Sequence, residues 1–348
     1  MPMSDSATAR NIAAELSAFG LENIAFVERP LPSLGPSQIR VRVRVASLNH
    51  RDLLIVQGRF REPPMLPRVP LSDGAGEVIE VGCDARRFKV GERVVTTIMP
   101  DWLNGPYTPA MMANALGGGT DGVLCKYFSA DEHAFIAIPE GFSLEQAAAL
   151  PCAGLAAWNA LFEHGNLKPR QTVLIQGSGG VSCFALLFAS RSGARVIAIS
   201  SSDSKCERLR QLGAAHAINY KQHLDWSAQV LELTDGVGVD HVVETGGAGT
   251  LDQSIKSAAV GGTISVIGML TGAYGMFDAF PILRKTLRLQ GIVGGSMEMF
   301  ERMCAMIEAL GIHPVIDRTF SMCDVDAALR YLESGQHVGK ILIRIDGA

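Results

Sequence analysis

Gly177-Ser-Gly179-Gly180, set between an apolar run at residues 172–176 and an apolar-striped run at 181–189, restricts the fold more than any other feature of this 348-residue chain. Glycines at a strand-to-helix turn let the backbone bend tightly, and they let N–H groups at the helix N-terminus approach a pyrophosphate. The helix should bury Val181, Phe184, Ala185, Phe188 and Ala189, whose i, i+3, i+4, i+7, i+8 spacing makes one stripe. Short β-branched runs at 195–200, 216–219, 240–244 and 263–267 alternate with helical stretches, the pattern of βαβ units on a parallel sheet. The expected fold class is α/β, with a dinucleotide held by Gly177, Ser178, Gly179, Gly180 and Val181. Ser182 stands where a third glycine normally brings helix and strand into close contact, so the helix is expected slightly farther from the sheet.

Before Pro151 the texture differs. Ile39, Val41, Val43 and Val45 alternate with Arg40, Arg42 and Arg44, a period of two that reads as a half-exposed strand with an arginine face. Further strand-like runs at 76–81 and 93–97, separated by glycine and proline signals, suggest an all-β, barrel-like region. The expected division is a β-rich part over 1–150, the nucleotide-binding part over 151–297, and a segment at 298–348 that returns to the first part. That last segment opens with a helical pattern reaching Leu310 and ends in the strand-like Lys340-Ile-Leu-Ile-Arg-Ile.

With 47% hydrophobic and 19% charged residues the chain can bury two cores. A net charge of −4 offers no broad attraction to phosphate backbones or anionic lipid, so neither nucleic acid nor membrane is an expected partner. No run approaches the ~20 apolar residues of a spanning helix. Residues 1–10 lack the pattern of a secretory leader, which makes a cytoplasmic location the expectation. The seven cysteines are scattered without a Cys-x-x-Cys pair and read as buried thiols.

The end of the second strand of such a sheet selects the cofactor. NAD sites place an acidic residue there for the ribose 2′-hydroxyl, whereas this chain has Ser200-Ser201-Ser202 followed by Lys205. Hydroxyls and an ammonium donate to a 2′-phosphate that a carboxylate would repel, so NADPH is expected over NADH. Ser202 or Asp203 is also a candidate N-cap for the next helix. Tyr220, after the third strand, either stacks near the adenine or is a half-buried strand-end tyrosine.

Leu48-Asn-His-Arg-Asp52, Leu71-Ser-Asp-Gly-Ala-Gly-Glu-Val-Ile-Glu-Val-Gly82, Phe88-Lys-Val-Gly-Glu-Arg-Val94, Leu150-Pro-Cys-Ala-Gly-Leu-Ala-Ala-Trp158 and the glycine loop follow one another along nearly the whole chain. In that order they resemble the medium-chain dehydrogenase/reductase superfamily, specifically its zinc-free quinone-reductase-like and alcohol-dehydrogenase-like branch. The resemblance implies a split GroES-like catalytic domain around a Rossmann domain, hydride transfer from a nicotinamide in the cleft, and a homodimer. It also points to Gly268, Met269, Val293, Gly294, Gly295 and Lys340 near the nicotinamide, and to Thr245 and Gly246 near the adenosine or ribose.

Departures from the zinc-dependent members sharpen the expectation. Where those enzymes hold a metal with Cys, His, an acidic residue and Cys, this chain has Asn49, Ser72, Asp73 and Cys152. Catalytic zinc needs three protein ligands, and the four-cysteine structural lobe is missing as well, so no zinc is expected. Hydrogen-bond donors must then stabilise a developing oxyanion. Asn49, at the former metal position, is the leading candidate; His50 and Arg51 are further donors, and Asp52 completes the catalytic set or organises the loop through backbone amides. His50 is alternatively a surface histidine. A pocket wall from residues 100–119, carrying Trp102, Tyr107, Met111 and Met112, suits a bulky hydrophobic carbonyl or quinone, with Gly117-Gly-Gly119 as hinge or plain turn. Three functions are open: NADPH-dependent reduction of a quinone, enone or activated carbonyl, reversible zinc-free alcohol oxidation, and non-catalytic NADPH binding.

Overall fold

The computed structural model of the protein describes residues 10–345. Residues 1–9, on which most of the leader expectation rests, lie outside that range. The chain divides into two units: Met1–Cys152 with Ser296–Glu308 and Ile316–Ala348, and Ala153–Gly295 with Ala309–Val315.

The first unit is β-rich. It contains a hairpin of β1 (Arg10–Leu16) and β2 (Ile24–Pro30), then β3 (Gln38–Ser47), β4 (Asp73–Val81), β5 (Arg93–Thr96), β6 (Tyr127–Asp131) and β7 (Phe135–Ala137). The second unit contributes β8 (Thr172–Gln176), β9 (Arg195–Ser200), β10 (His216–Asn219), β11 (Val239–Glu244), β12 (Ala258–Val266) and β13 (Arg288–Gly291). The chain then returns to the first unit with β14 (Ile316–Ser321) and β15 (Lys340–Arg344).

β3 is the organising strand of the first unit. It pairs antiparallel with β4, β6 and β15 inside a sheet ordered β14-β15-β3-β4-β5-β7. Ile39, Val41, Val43 and Val45 are buried, as their alternation requires. The expectation of an exposed arginine face is corrected at Arg40: with strands on both sides it is buried, donating from Nη2 to the Pro32 carbonyl (2.6 Å) and from Nε to Ser129 Oγ (3.2 Å). An arginine survives burial because its fan of donors is satisfied in place.

Register, more than local sequence, assembles the polar end of this sheet. Ser47 stands opposite Asp73 on β4 and opposite Leu342 on β15. The Leu48 N–H then donates to the Ile341 carbonyl at 2.9 Å. Continuing that antiparallel pairing by one step sets Asn49 beside Lys340, although 290 residues separate them.

The second unit is a parallel sheet ordered β10-β9-β8-β11-β12-β13. β8 is followed outward by β9 and β10 on one side, and the chain then crosses to β11, β12 and β13 on the other. The order therefore reverses between β8 and β11, the crevice where such sheets hold ligands beyond their carboxyl ends. Val173, Leu174, Ile175, Val196, Ile197 and Ile199 are buried because helices cover both faces of a parallel sheet. The helix Gly180–Arg191 buries Phe184, Ala185, Phe188 and Ala189 as expected, with Val181 half-buried. Cys183 and Leu186 are buried too, so it is enclosed on more than one face instead of along a single stripe. No helix among the described residues is long and apolar enough to cross a membrane.

Candidate active site

Most expected dinucleotide contacts of the second unit sit at or just past a strand's carboxyl end, with Val181 and Lys205 in the helices that follow. Gly177–Gly180 follow β8, Ser200–Ser202 end β9, Tyr220 follows β10, Thr245 and Gly246 follow β11, Gly268 and Met269 follow β12, and Val293–Gly295 follow β13. Gly177 has φ 78°, a left-handed turn that only glycine adopts without strain. Gly179 caps the helix with no side-chain hydrogen bond, which fits a pyrophosphate on the first-turn N–H groups. Ser182, in the place of the third glycine, donates its hydroxyl to the Gln176 carbonyl at 2.6 Å and so links the helix to the end of β8.

Ser202 caps the helix Asp203–Gln211, its oxygen accepting from the Lys205 N–H at 3.4 Å. Asp203, the nearest carboxylate, is drawn toward β10, accepting from Asn219 Nδ2 (2.8 Å) and Gln222 Nε2 (2.9 Å). These amide bonds hold its pKa below the usual carboxylate value. Tyr220 is half-buried, and its N–H donates to the Ser200 carbonyl at 3.0 Å.

Three residues that sequence reasoning missed shape these loops. Glu244, fully buried, accepts at Oε1 from the N–H groups of Gly246 (2.8 Å) and Gly247 (2.9 Å) and from Thr250 Oγ1 (2.6 Å). At Oε2 it accepts from Gln176 Nε2 (2.6 Å) and the Ser254 hydroxyl. Gln176 in turn receives the Thr245 and Gly246 N–H groups on its Oε1, so one buried pair holds the loops after β8 and β11 together. Asn159 donates to the Gly294 carbonyl at 2.7 Å and so fixes the loop after β13. Each is a lone polar side chain in an apolar run, the one signal available in the sequence.

In the first unit, Asn49 precedes the helix His50–Val56, and its backbone N–H donates to Asp52 Oδ2 at 2.9 Å. Asp52 is buried, and burial raises its carboxyl to about 6 against the pull of Arg51. The organising role expected as its alternative is therefore the one its contacts describe. Arg51 donates to the Leu116 carbonyl at 2.9 Å, which ties the helix to the 116–119 turn. In that turn Gly117 has φ 70° and lies so close to the Leu71 backbone that a Cβ would clash; it is a packed turn. His50 is on the outer side of the helix, and partial desolvation, with Arg59 adding to it, holds its imidazole below the ordinary value.

Lys340 faces this group. It is only 3% exposed, and its Nζ lies 2.5 Å from Asn49 Oδ1, 2.9 Å from the Leu48 carbonyl and 3.6 Å from Asp73 Oδ2. Expected as a cofactor contact, Lys340 directs its ammonium at the protein. Asp73 also accepts from Ser72 Oγ (2.7 Å), the Cys152 N–H (3.1 Å) and Ser47 Oγ (3.4 Å). Cys152 borders an apolar cluster of Ile98, Met99, Trp102 and Ala115 that also takes in Tyr107, Met111, Met112 and Met299.

The known proteins that this chain is similar to bear on both units. Models of an alcohol dehydrogenase GroES-like domain and of a zinc-binding dehydrogenase match residues 35–140 and 180–309. A zinc-type alcohol dehydrogenase-like protein of Schizosaccharomyces pombe is 42% identical over 340 residues, 94% of this chain and 96% of that one. A crystal structure from Sinorhizobium meliloti 1021, provisionally named an alcohol dehydrogenase, superposes with a TM-score of 0.91 at 38% identity, covering 99% of this chain and 100% of that one. An NAD-dependent alcohol dehydrogenase gives 0.88 at 30% identity, covering 96% and 99%. Mammalian proteins named quinone oxidoreductase-like match as well. A Rossmann-like parallel sheet and a GroES-like β-rich unit define a nicotinamide-dependent oxidoreductase. The chain belongs to the medium-chain dehydrogenase/reductase superfamily.

Zinc is implied by those family names, and the donor set here does not fit it. The Asn49 oxygen is held by an ammonium, both Asp73 oxygens already accept, and burial pushes the Cys152 thiol up to about 12, away from the thiolate a metal binds. Among the described residues no three His, Cys, Asp or Glu side chains are grouped to hold a metal ion.

Proposed function

We propose that this protein is a zinc-independent, NADPH-preferring reductase of quinones, enones or other activated carbonyl compounds. One observation carries the reading: a buried ammonium, Lys340, supplies positive charge where metal-dependent relatives would hold their ion. NADPH supplies the hydride when bound. The loops that follow β8 to β13 would orient it, and in the first unit the apolar cluster around Trp102 suits a hydrophobic acceptor. The preference for NADPH is supported by the hydroxyls of Ser200–Ser202, by Lys205, and by an Asp203 carboxylate already engaged elsewhere. Purified enzyme is expected to oxidise NADPH with quinones or enones at a rate unchanged by EDTA, and to contain less than a tenth of an equivalent of zinc. Activity that disappears on chelation and returns with zinc would reject the reading. The names of similar proteins favour reversible alcohol oxidation as a second reading, which alcohol-dependent NADP reduction in the same assay would reveal.

We also propose a second copy of this chain as partner. Among the described residues β13 is the last strand of its sheet, with one hydrogen-bonding edge open. In the chain that leads into it and on the strand itself, Tyr274, Met276, Phe280, Leu283 and Leu289 are exposed, an apolar concentration that lone soluble units rarely carry. Edge strands pair readily, and a twofold axis lets one edge meet itself. Light scattering is expected to give a dimer at micromolar concentration and a monomer for the double variant Leu283→Asp with Leu289→Asp; a wild-type monomer would refute the pairing.

A further inference from the structure

The amide of Asn49 has one end fixed and one end free. The residue is 7% exposed, yet Nδ2 is buried without a hydrogen-bond partner among the described residues. Buried amide hydrogens left unpaired are costly, so an orphan at a proposed reaction centre calls for a ligand atom. Which end of the amide is the donor follows from Lys340. An ammonium only donates, and its Nζ lies 2.5 Å from the side-chain oxygen. Rotating the amide by half a turn would press NH2 against NH3+, two donors face to face. The ammonium itself is anchored by the Leu48 carbonyl and by Asp73, and the Asn49 backbone is anchored by Asp52. Neither partner of the contact is free to turn away.

We propose that Lys340 is a positioning residue, which locks the Asn49 amide so that Nδ2 donates to the substrate oxygen. Asn49 is then a catalytic residue for carbonyl, enone or quinone acceptors. This rests on the reductase reading above. As hydride and its electron pair leave the dihydronicotinamide for the acceptor, the acceptor's π pair moves onto its oxygen, and a proton from water completes the product. Nδ2 meets that oxygen while the charge is on it. The ammonium polarises the amide from the opposite end, and hydrogen bonds in such a chain strengthen one another. Positive charge thus reaches the oxygen through one amide.

Asn49→Asp keeps the shape and the Lys340 contact, replaces the outward donor by a carboxylate oxygen that can only accept, and adds one negative charge. It is expected to lower kcat about 100-fold, the usual loss for one oxyanion donor, with the KM for NADPH and the melting temperature nearly unchanged. Lys340→Met is expected to lower kcat about tenfold. The double variant should be no slower than Asn49→Asp alone, because there is then no donor left to orient. A purely structural lysine would give multiplying losses instead. Asn49→Asp within threefold of wild-type kcat, or multiplying losses, overturns the proposal, and if Lys340→Met fails to fold, Lys340→Gln takes its place in the same cycle. Zinc is measured on the same preparations. Zinc-dependent activity defeats the parent reading, whereas a zinc-free active enzyme indifferent to Asn49→Asp defeats only this one. A protein that turns over no acceptor overturns both.

Discussion

Glu244→Gln is expected to lower the melting temperature by about 6–12 °C and to weaken dinucleotide binding about tenfold, although the two side chains have the same shape. Five donors converge on the Glu244 carboxylate, three at one oxygen and two at the other. A glutamine replaces one of those oxygens with an NH2 group, and either orientation sets it against existing donors. Facing the loop, it opposes the Gly246 and Gly247 N–H groups and Thr250; facing inward, it opposes Gln176 and Ser254. Lost and repelled hydrogen bonds at a buried site cost about 3 kcal/mol, and about 2–4 °C accompanies each kcal/mol for a domain of this size. The binding loss follows because the loop Thr245–Gly247 is also hydrogen-bonded to the loop after β12, the Thr271 N–H donating to the Gly246 carbonyl at 2.7 Å. Ser254→Ala removes one donor to Glu244 and one acceptor of Gln176 Nε2 but leaves Gln176 donating to the same carboxylate oxygen, so its melting temperature should fall by only about 2–4 °C. Calorimetry with and without NADPH reads both. A Glu244→Gln protein melting within 2 °C of wild type would show that the pair does not brace these loops.

What could be read from the residues in advance, and what could not, divides by sequence distance. β8, β9 and β10 fall where short β-branched runs end at Gly177, Ser200 and Tyr220, because a strand buried on both faces needs little more than apolar length and a turn residue. Five of the six loops past the carboxyl ends follow from that alternation; the one after β13 was indicated only by the family resemblance. β13 escaped because an edge strand with exposed Leu289 carries no buried pattern. The helix His50–Val56 escaped because seven residues are too few for a stripe to show. Arg40 was misjudged since alternation reports which residues share a face and not whether another strand covers it. The Lys340–Asn49 contact depends on the register of β3 against β15, which no local window contains. Glu244, Gln176 and Asn159 were visible as lone polar residues in apolar stretches, but their partners lie on other strands.

Ser201→Asp is expected to cut the NADPH-over-NADH preference in kcat/KM by about 100-fold or more. Of the three serines it is the clean position. Ser200 is buried, and Ser202 already caps the helix Asp203–Gln211, whereas Ser201 is half-buried and has no capping role. If the cofactor is NADPH as proposed, a carboxylate there would remove a hydroxyl donor to the 2′-phosphate, about 1.5–3 kcal/mol for a bond to a charged group, and would add like-charge repulsion of a few kcal/mol at surface screening. At ~1.4 kcal/mol per tenfold, even the lower sum exceeds two orders of magnitude. Against NADH the same carboxylate accepts from the ribose 2′-hydroxyl, so the KM for NADH should fall while that for NADPH rises. Asp203→Asn provides the control. Its carboxylate is spent on Asn219 and Gln222, so removing the charge should leave the ratio within about threefold, even though it lies three residues from the end of β9. If Asp203→Asn shifts the preference toward NADPH and Ser201→Asp shifts nothing, Asp203 is the ribose-binding acid and the enzyme uses NADH. Steady-state kinetics with both cofactors at saturating acceptor separates the two, because the discriminating interaction appears in the cofactor KM and leaves kcat almost unmoved.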